Sequence, residues 1–360
     1  MQIKKNFRII KTSSHRGKKG KENERRRDKT AVAGLSPAKQ PPAAGGGAQR
    51  RSRVKELFLP EHSQHRPKDF RRLETRDRRP NVPLRLFPIS HMVFSTEIIR
   101  PYTGGGIRCA LFDFDGTISL IREGWQQIMT PYFCECIASL GTGESPAAVE
   151  AEVREFIDRL TGKQTIFQCM ALDEAIVRRG GPRREPLVYK TEYLRRLAVH
   201  IADRKKGLAD GTVKKEALTV KGARELLIKL RQAGVKCFLA SGTDETDVKA
   251  EAALLGVDGF FDGGIRGATE ALTDCSKEAV IKNMLETEGI LPQELVTFGD
   301  GCVEIELTAS AGGYAVGVAT NEKTGEGVDE WKRRRLLAAG ASMILPNFER
   351  PDDVLKALGL

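Results

Sequence analysis

Two aspartates, Asp113 and Asp115, stand two positions apart at the end of an apolar stretch (residues 107–112), and a Gly-Thr turn follows them. Side chains alternate along a strand, so both carboxyl groups point to the same side while the strand lasts. A buried strand that ends in paired acids needs a metal ion or a chemical role to offset the desolvation of the charges. We therefore interpret Asp113 as a nucleophile and Asp115 as a proton donor, at the carboxyl edge of a parallel sheet where open α/β sheets bind ligands. The alternative is a solvated Asp-Gly turn, which rarely follows so apolar a run.

Five short apolar runs near Gly, Pro or Asp are typical of buried parallel strands. They lie at residues 107–112, 235–240, 295–298, 314–318 and 342–345. Helical patterns alternate with them, and in residues 223–230 the apolar positions follow the i, i+3, i+4, i+7 spacing before Gly234 closes the helix. This alternation predicts an α/β protein with a doubly wound parallel sheet.

Residues 118–219 carry helical patterns and no convincing strand. Ser145-Pro146 is a typical helix start, because a capping residue precedes proline in the first turn. One apolar face follows, formed by Val149, Val153, Phe156, Ile157 and Leu160. We expect a separate helical domain over the carboxyl edge, where a lid could exclude water and select the substrate.

The length of the chain, 360 residues, allows one large domain or two ordinary domains. Its charge is unevenly distributed. Residues 1–91 hold 25 Lys and Arg residues and 8 Asp and Glu residues. The rest of the chain therefore holds 34 Lys and Arg residues and 40 Asp and Glu residues. The net charge of +11 therefore belongs to the leader, and a basic nucleic-acid surface on the folded part is not supported.

The leader, residues 1–91, has a composition typical of disorder. It could be a basic interaction tail that binds nucleic acid or an acidic partner, or an Arg-rich targeting peptide, although its acidic residues argue against the latter. A third reading, which we favour, is that translation begins at Met92, because the folded pattern starts only after that residue.

The seven cysteines are odd in number and scattered, at positions 109, 134, 136, 169, 237, 275 and 302. His200 is the one histidine beyond the leader, so a Cys/His zinc site is not expected. We expect free thiols in a reducing cytoplasm. No apolar run reaches the roughly 18 residues of a membrane span, and no secretory signal is evident.

Four stretches resemble, in order, the motifs of the haloacid dehalogenase (HAD) superfamily: residues 113–117 (DFDGT), 239–243 (LASGT), Lys277 and residues 298–304 (FGDGCVE). The resemblance covers roughly residues 107–350 and points to the phosphoglycolate phosphatase and β-phosphoglucomutase branch. It implies a Rossmann-like catalytic core at residues 107–117 and 220–350, with an α-helical (C1-type) cap inserted at residues 118–219.

The resemblance implies that Asp113 attacks phosphorus to form an aspartyl-phosphate. Neutralising the phosphate charge calls for Mg²⁺, and this hard cation suits oxygen ligands from Asp113, Asp300 and the backbone carbonyl of Asp115. The Asp115 side chain would protonate the leaving alcohol and then deprotonate the hydrolytic water. Dehalogenases of the superfamily lack this second aspartate and P-type ATPases replace it with threonine, so its presence favours a phosphatase or phosphomutase.

The second motif and the first turn supply the expected phosphate contacts. The hydroxyl of Ser241 and the backbone N–H of Gly242 could hold phosphate oxygens, and the resemblance adds Gly116, Thr117 and Thr243 to the substrate site. The alternative for Ser241 or Thr243 is a plain helix N-cap, which is compatible with the phosphate role.

Lys277 follows Ser276 at a predicted helix start, a poor place for a cation in the helix dipole. Pairing with Asp113 and the phosphoryl group would compensate, and the alternative is a solvated surface lysine. Glu304 stands where many relatives carry aspartate, so it could bind the metal through water or anchor Lys277.

Arg122, Glu123 and Trp125 follow the first motif and should lie near the hinge of the cap. Arg122 could hold a substrate carboxylate or a second phosphate. Lys163, in a polar group beside Gly162, could belong to a second loop that reaches inward. For each of these, surface exposure or simple packing is the alternative.

Together these features predict a cytoplasmic, Mg²⁺-dependent phosphatase that acts on a small phosphorylated metabolite, with phosphoglycolate as the first candidate by resemblance. A β-phosphoglucomutase-like phosphomutase is the enzyme alternative. The binding alternative is a phosphatase-like domain that the leader tethers to nucleic acid or to an acidic partner. The last alternative is a catalytically silent relative, but such a protein would have no evident reason to keep two buried acids that cost free energy of desolvation. No contact with a membrane is expected, and the oligomeric state is outside what the sequence predicts.

Overall fold

A seven-stranded sheet forms the centre of the protein, whose computed structural model describes residues 96–269 and 276–360. The strands are β1 (Glu97–Ile98), β2 (Cys109–Phe112), β3 (Lys236–Asp244), β4 (Ile265–Ala268), β5 (Leu295–Gly299), β6 (Tyr314–Val318) and β7 (Met343–Leu345). Their order is β1-β7-β6-β5-β2-β3-β4, and every pair is parallel except β1 with β7. The predicted α/β class with a doubly wound parallel sheet is confirmed.

The five predicted strands all form, and their bounds differ from the prediction mainly at β3. This strand continues to Asp244 through an irregular register after Ala240. Two strands were not predicted. β4 is interrupted by Arg266 and Gly267 and so lacks an apolar run, and β1 is a two-residue strand at the edge of the sheet.

The sheet changes direction at β2, and this fixes the position of the first motif. From β2 the chain builds β3 and β4 on one side, then returns to build β5, β6 and β7 on the other. All four residues of β2 are buried, as expected for a central parallel strand. A crevice outside the carboxyl ends of the strands is expected at such a switch point, and Asp113 is the residue that follows β2.

Ten α-helices lie within the described residues. They are α1 (Trp125–Ala138), α2 (Pro146–Leu160), α3 (Thr165–Arg178), α4 (Pro186–Asp210), α5 (Ala223–Gln232), α6 (Glu245–Leu255), α7 (Lys277–Thr287), α8 (Cys302–Ala311), α9 (Glu330–Ala338) and α10 (Pro351–Ala357). The start predicted for α2 is confirmed, because the Ser145 hydroxyl accepts a hydrogen bond from the Ala148 N–H and Pro146 occupies the first turn. The five apolar residues predicted for its inner face are buried.

The helices α1 to α4 are inserted between β2 and β3, and two short segments connect them to the sheet. These segments run side by side: the Leu120 N–H donates to the Leu218 carbonyl, and the Val220 N–H donates to the Ile118 carbonyl, each at 2.9 Å. Because the two connecting segments are hydrogen-bonded to each other, all four helices are joined to the sheet at one place. We call α1 to α4 the inserted helices.

Phenylalanines pack beneath the strand ends that carry the motifs. The rings of Phe112 and Phe298 stack with centroids 4.7 Å apart, and Phe348 packs edge-on against Phe298. All three are fully buried, so the floor of the crevice is apolar.

Six of the seven cysteines lie in the described residues and all six are free thiols, as predicted. Cys275, the leader and Met92 lie outside the described residues, so the predictions made for them are not addressed by the structure. No helix among the described residues is long and apolar enough to span a membrane.

Candidate active site

Asp113 lies at the carboxyl end of β2, between β3 and β5. Its N–H donates to the Phe298 carbonyl at 2.9 Å, which continues the strand pairing by one residue and fixes the backbone. Its side chain is buried, and Oδ1 accepts a hydrogen bond from Nζ of Lys277 at 2.8 Å. The structure thus brings together two predicted site residues that lie 164 positions apart in the chain.

Lys277 begins α7, as predicted, with Ser276 as the N-cap. Its ammonium group also donates to Oε2 of Glu304 at 2.8 Å, and Oε1 of Glu304 accepts from the Gly301 N–H at 2.8 Å. Burial alone lowers the pKa of Lys277, but the charges of Asp113 and Glu304 outweigh it and raise the pKa. Glu304 therefore makes the anchoring contact to Lys277 that was one of its two expected roles. We call Asp113, Lys277 and Glu304 the Lys277 cluster.

A second lysine contacts Asp300, another of the predicted metal ligands. Lys332, in the first turn of α9, donates to Oδ2 of Asp300 at 2.7 Å and to Oε1 of Glu322 at 2.5 Å. The lysine is buried, and its pKa is raised because the two carboxylates outweigh the effect of burial. We call Asp300, Lys332 and Glu322 the Lys332 cluster. It repeats the arrangement of the first, with a lysine at a helix start between a crevice aspartate and a glutamate.

Sequence reasoning missed Lys332 and Glu322. Lys332 belongs to the run Glu330–Ala338, whose consecutive charges are typical of an exposed helix. No spacing rule links it to Asp300, 32 positions earlier. The lysine near a helix start is the one available signal, since such a cation needs an anionic partner.

Replacing Lys332 with methionine should destabilise the fold by about 3 kcal/mol, because two enclosed carboxylates would lose their shared cation. Adding Glu322→Gln to that variant should recover part of the loss. Urea unfolding monitored by circular dichroism measures both changes. Arg334→Met, an exposed position on the same helix, is the control. Equal stability of the Lys332 and Arg334 variants would contradict the assignment.

Gly116 lies directly against the Lys332 cluster. It has φ +76°, and a Cβ atom at this position would stand 2.3 Å from Oδ2 of Asp300 and 3.0 Å from Oε1 of Glu322. The structure thus places Gly116 where the first motif passes beneath the Asp300 carboxylate. Thr117, the next predicted site residue, is fully buried, and its hydroxyl has no hydrogen-bond partner among the described residues.

Gly116→Ala should cost about 1–3 kcal/mol of stability, since alanine is strained at this φ and its methyl group displaces Asp300. Thermal unfolding and turnover are the measurements. Gly105→Ala is the matched control, because no atom lies within 4 Å of a Cβ there. If Gly116→Ala keeps wild-type stability and turnover, the close contact with Asp300 is not present in solution.

Asp115 lies on the side of the crevice formed by Thr243 and Arg122. Its Oδ2 accepts from the Thr243 hydroxyl at 2.7 Å, and its Oδ1 lies 3.9 Å from Nε of Arg122. Oδ1 is buried without a hydrogen-bond partner in the described part of the chain. Burial raises the pKa of the Asp115 carboxyl to about 6, against the opposing charge of Arg122. A carboxyl group with this pKa can donate and accept a proton near neutral pH.

Ser241, Gly242 and Thr243 lie at the end of β3 beside Asp113 and Asp115. Ser241 is buried, and its Oγ accepts from the Thr243 N–H at 3.0 Å. The N-cap position of α6 is Asp244 and makes no side-chain capping hydrogen bond. The structure therefore does not show Ser241 or Thr243 capping α6, and both side chains face the crevice.

Arg122 is close to the crevice, but its guanidinium group already has protein partners. Nε and Nη2 donate to the two oxygens of Glu251 at 2.9 Å each, and Nη2 also donates to Asp247 at 3.2 Å. Glu251 is fully buried on α6. Sequence reasoning did not find this partner, because nothing in the pattern of α6 marks one glutamate as buried.

A cavity of about 90 Å³ lies over the strand ends, between the sheet and the inserted helices. The motif residues that line it are Asp113, Asp115, Ser241, Gly242, Thr243, Lys277 and Asp300. The inserted helices contribute Trp125, Met129, Thr161, Gly162, Lys163, Thr165, Gln168, Tyr193 and Leu197. The structure thus brings residues from all four motif stretches to one site.

The loop between α2 and α3 reaches the motif residues. A Cβ atom at Gly242 would stand 2.6 Å from the Lys163 carbonyl oxygen, and one at Gly162 would stand 3.3 Å from Oε2 of Glu304. Glycines at both positions allow the inserted helices to approach the strand ends. This is the inward loop that the polar residues beside Gly162 predicted.

The two clusters fit a divalent cation. One oxygen each of Asp113, Asp300 and Glu304 lies within 4.8 Å of the other two. Burial and the charges of Glu304 and Asp300 raise the pKa of Asp113, against the effect of Lys277. Four carboxylates and two ammonium groups leave the two clusters with a formal charge of −2. Carboxylate oxygens are the ligands that Mg²⁺ prefers, and its charge matches this excess.

The sequence matches the family model of the haloacid dehalogenase-like hydrolases over residues 107–312, which is more than half of the chain. The protein therefore belongs to the haloacid dehalogenase-like hydrolases, and the resemblance drawn from the four motifs is confirmed. None of the curated proteins compared with the sequence matches it.

Several solved structures are similar to this one. A β-phosphoglucomutase from Clostridium difficile is 15% identical, with 70% of this chain and 97% of that chain covered and a TM-score of 0.47. A predicted phosphoglycolate phosphatase from Haemophilus somnus 129pt is 16% identical, with 69% and 97% covered and a TM-score of 0.45. A predicted phosphatase from Clostridium acetobutylicum is 19% identical, with 70% and 100% covered and a TM-score of 0.46.

Proposed function

We propose that this chain is a Mg²⁺-dependent phosphatase that hydrolyses a small phosphomonoester, phosphoglycolate-like or a sugar phosphate, through an aspartyl-phosphate on Asp113. The observation that carries the proposal is the presence, within one small cavity, of a buried carboxylate held by Lys277 and of a second carboxyl group, that of Asp115, held by the Thr243 hydroxyl. These are the two groups that a covalent phosphoryl transfer needs.

In the first half of the reaction, an oxygen of Asp113 attacks the phosphorus atom. Lys277 fixes the carboxylate through Oδ1, which leaves the other oxygen as the nucleophile. Ser241 and the backbone N–H of Gly242 would hold phosphate oxygens, since both residues line the cavity at the end of β3. Asp115 donates its proton to the leaving oxygen, so the alcohol departs uncharged.

In the second half, the same Asp115 carboxylate takes a proton from water as the water attacks the phosphoryl group on Asp113, which releases inorganic phosphate and the free Asp113 carboxylate. The Thr243 hydroxyl orients Asp115 in both halves through its bond to Oδ2, and Oδ1 faces Arg122. The inserted helices would act as the cap that excludes bulk water, since they form most of the other wall of the cavity.

Asp113 and Asp300, with the backbone carbonyl of Asp115, would hold Mg²⁺, and Glu304 would support the site through Lys277. When bound, the cation neutralises phosphate charge and lowers the barrier to attack by an anionic carboxylate.

Removal of divalent cations is expected to abolish turnover reversibly. The full chain is treated with EDTA, and hydrolysis of an aryl phosphate is followed before and after Mg²⁺ is restored. We expect a loss of at least about 10²-fold with recovery on addition of Mg²⁺, because the excess of carboxylate charge would otherwise repel the substrate phosphate. Full activity in EDTA would contradict the proposal.

A panel of phosphorylated metabolites tests the reaction type. Release of inorganic phosphate from one or more monoesters supports a phosphatase. Isomerisation of a sugar phosphate that is stimulated by a sugar bisphosphate, without phosphate release, would instead assign a phosphomutase.

A further inference from the structure

The cationic side chains that line the cavity either form ion pairs with protein carboxylates or are exposed to solvent. Among the described residues, three cationic side chains line it, those of Arg122, Lys163 and Lys277. Lys277 is shared between Asp113 and Glu304 at 2.8 Å each. This lysine serves the nucleophile and the transferred phosphoryl group, so it is not available to the leaving group.

Arg122 lies on the leaving-group side, next to Asp115, within a cluster of ion pairs. It makes a bidentate contact with the fully buried Glu251 and a further contact with Asp247. Lys205 adds one more positive charge, at 3.3 Å from Glu251. With Asp115 carrying the proton that it donates, two carboxylates and two cations balance in this cluster. A substrate carboxylate placed here would find no excess positive charge, because the guanidinium of Arg122 is already paired with Glu251 and Asp247.

Lys163 is exposed on the loop between α2 and α3. An ion pair with a solvated lysine contributes little binding free energy. The cavity therefore has no strong, unshared cation for an anionic leaving group within the part of the chain that the structure describes.

The wall opposite the motifs presents neutral groups. Gln168 is buried with its side chain on the cavity, and Thr165 and Tyr193 add hydroxyl-bearing side chains beside the indole of Trp125. Amides and hydroxyls both donate and accept hydrogen bonds, as alcohol groups do, whereas a carboxylate only accepts. Aromatic surface next to a few polar groups is the usual lining of a site for an uncharged small molecule.

We propose that the leaving group is a small, neutral, hydroxylated alcohol, a polyol or sugar, and that substrates with a carboxylate on the leaving group are disfavoured. This inference rests on the proposed phosphatase function and chooses between its two substrate classes.

Two matched substrate pairs test the inference with the full chain and Mg²⁺. Glycerol 3-phosphate is compared with 3-phosphoglycerate, and 2-hydroxyethyl phosphate with phosphoglycolate. Within each pair, a hydroxymethyl group replaces a carboxylate at nearly constant size. We expect kcat/KM to be at least about tenfold higher for the hydroxyl member of each pair.

The outcomes separate this inference from the function on which it rests. If an aryl phosphate is hydrolysed but the hydroxyl members are no better than the carboxylates, the leaving-group inference is overturned and the phosphatase proposal stands. If neither the aryl phosphate nor any pair member is hydrolysed, both are overturned.

A variant of the cavity wall gives an independent measurement. Gln168→Lys places a cation on the wall and should shift the ratio of kcat/KM within each pair towards the carboxylate member by about tenfold. Gln168→Met, similar in size and uncharged, should leave carboxylates disfavoured. An unchanged ratio in Gln168→Lys would show that the leaving group does not contact this wall and would overturn the inference.

Discussion

Asp113→Asn is expected to reduce turnover of every phosphomonoester by on the order of 10⁴-fold or more, while the protein stays folded. An amide nitrogen or oxygen is a poor nucleophile towards phosphorus, so the covalent intermediate cannot form. Asparagine has nearly the same shape and retains an oxygen that can accept the hydrogen bond from Lys277. The measurement is kcat for an aryl phosphate in Mg²⁺, together with the thermal unfolding midpoint of both proteins.

The matched control for this variant is Asp203→Asn, an exposed position on α4. It makes the same chemical change far from the motif residues, so its turnover and stability should equal those of the wild type. An Asp113 variant with turnover within tenfold of that control would show that another group attacks phosphorus.

Asp115→Asn should lower turnover by about 10²–10⁴-fold for alkyl phosphates, since an alkoxide leaving group needs a proton donor. Aryl phosphates have better leaving groups, so formation of the aspartyl-phosphate should be much less affected. Its hydrolysis should still be slow, because the same residue is the base that activates water. We expect a burst of phenol equal to one molecule per active site, followed by a slow steady state.

Stopped-flow absorbance with an aryl phosphate measures this burst directly. Thr243→Val is the companion variant, since it removes the hydroxyl that contacts Oδ2 of Asp115 without removing the carboxyl group. It should give a smaller loss of turnover and no burst larger than that of the wild type. If Asp115→Asn slows formation of the aspartyl-phosphate equally for alkyl and aryl phosphates, the role of proton donor is contradicted.

The central part of the site could be predicted because its residues are marked locally. Asp113 and Asp115 follow a buried strand directly, and β2 is placed by its apolar run alone. The position of Lys277 at a helix start was also predictable, although its pairing with Asp113 needed the resemblance to a known family. The order of the strands then brings these stretches together at the switch point.

The Lys332 cluster could not be predicted, because no local feature distinguishes its members from surface charges. Glu322 and Lys332 become partners of Asp300 only when the loop after β6 folds back over the strand ends. The same holds for Arg122, whose position near the site was predicted but whose partner was not. Glu251 becomes buried through the packing of α4 against α6, a tertiary event with no signature in either helix.

The edge of the sheet was also beyond sequence reasoning. β4 carries an arginine and a glycine among four residues, and its pairing with β3 is set by the neighbouring strand rather than by its own propensity.

Identification of the phosphorylated residue tests the central claim most directly. The Asp115→Asn protein is mixed with an aryl phosphate in Mg²⁺, quenched in acid during the slow phase, and digested for mass spectrometry. Our account predicts one phosphoryl group per chain, on Asp113. A burst of phenol without protein-bound phosphate, or phosphate on any other residue, would contradict it.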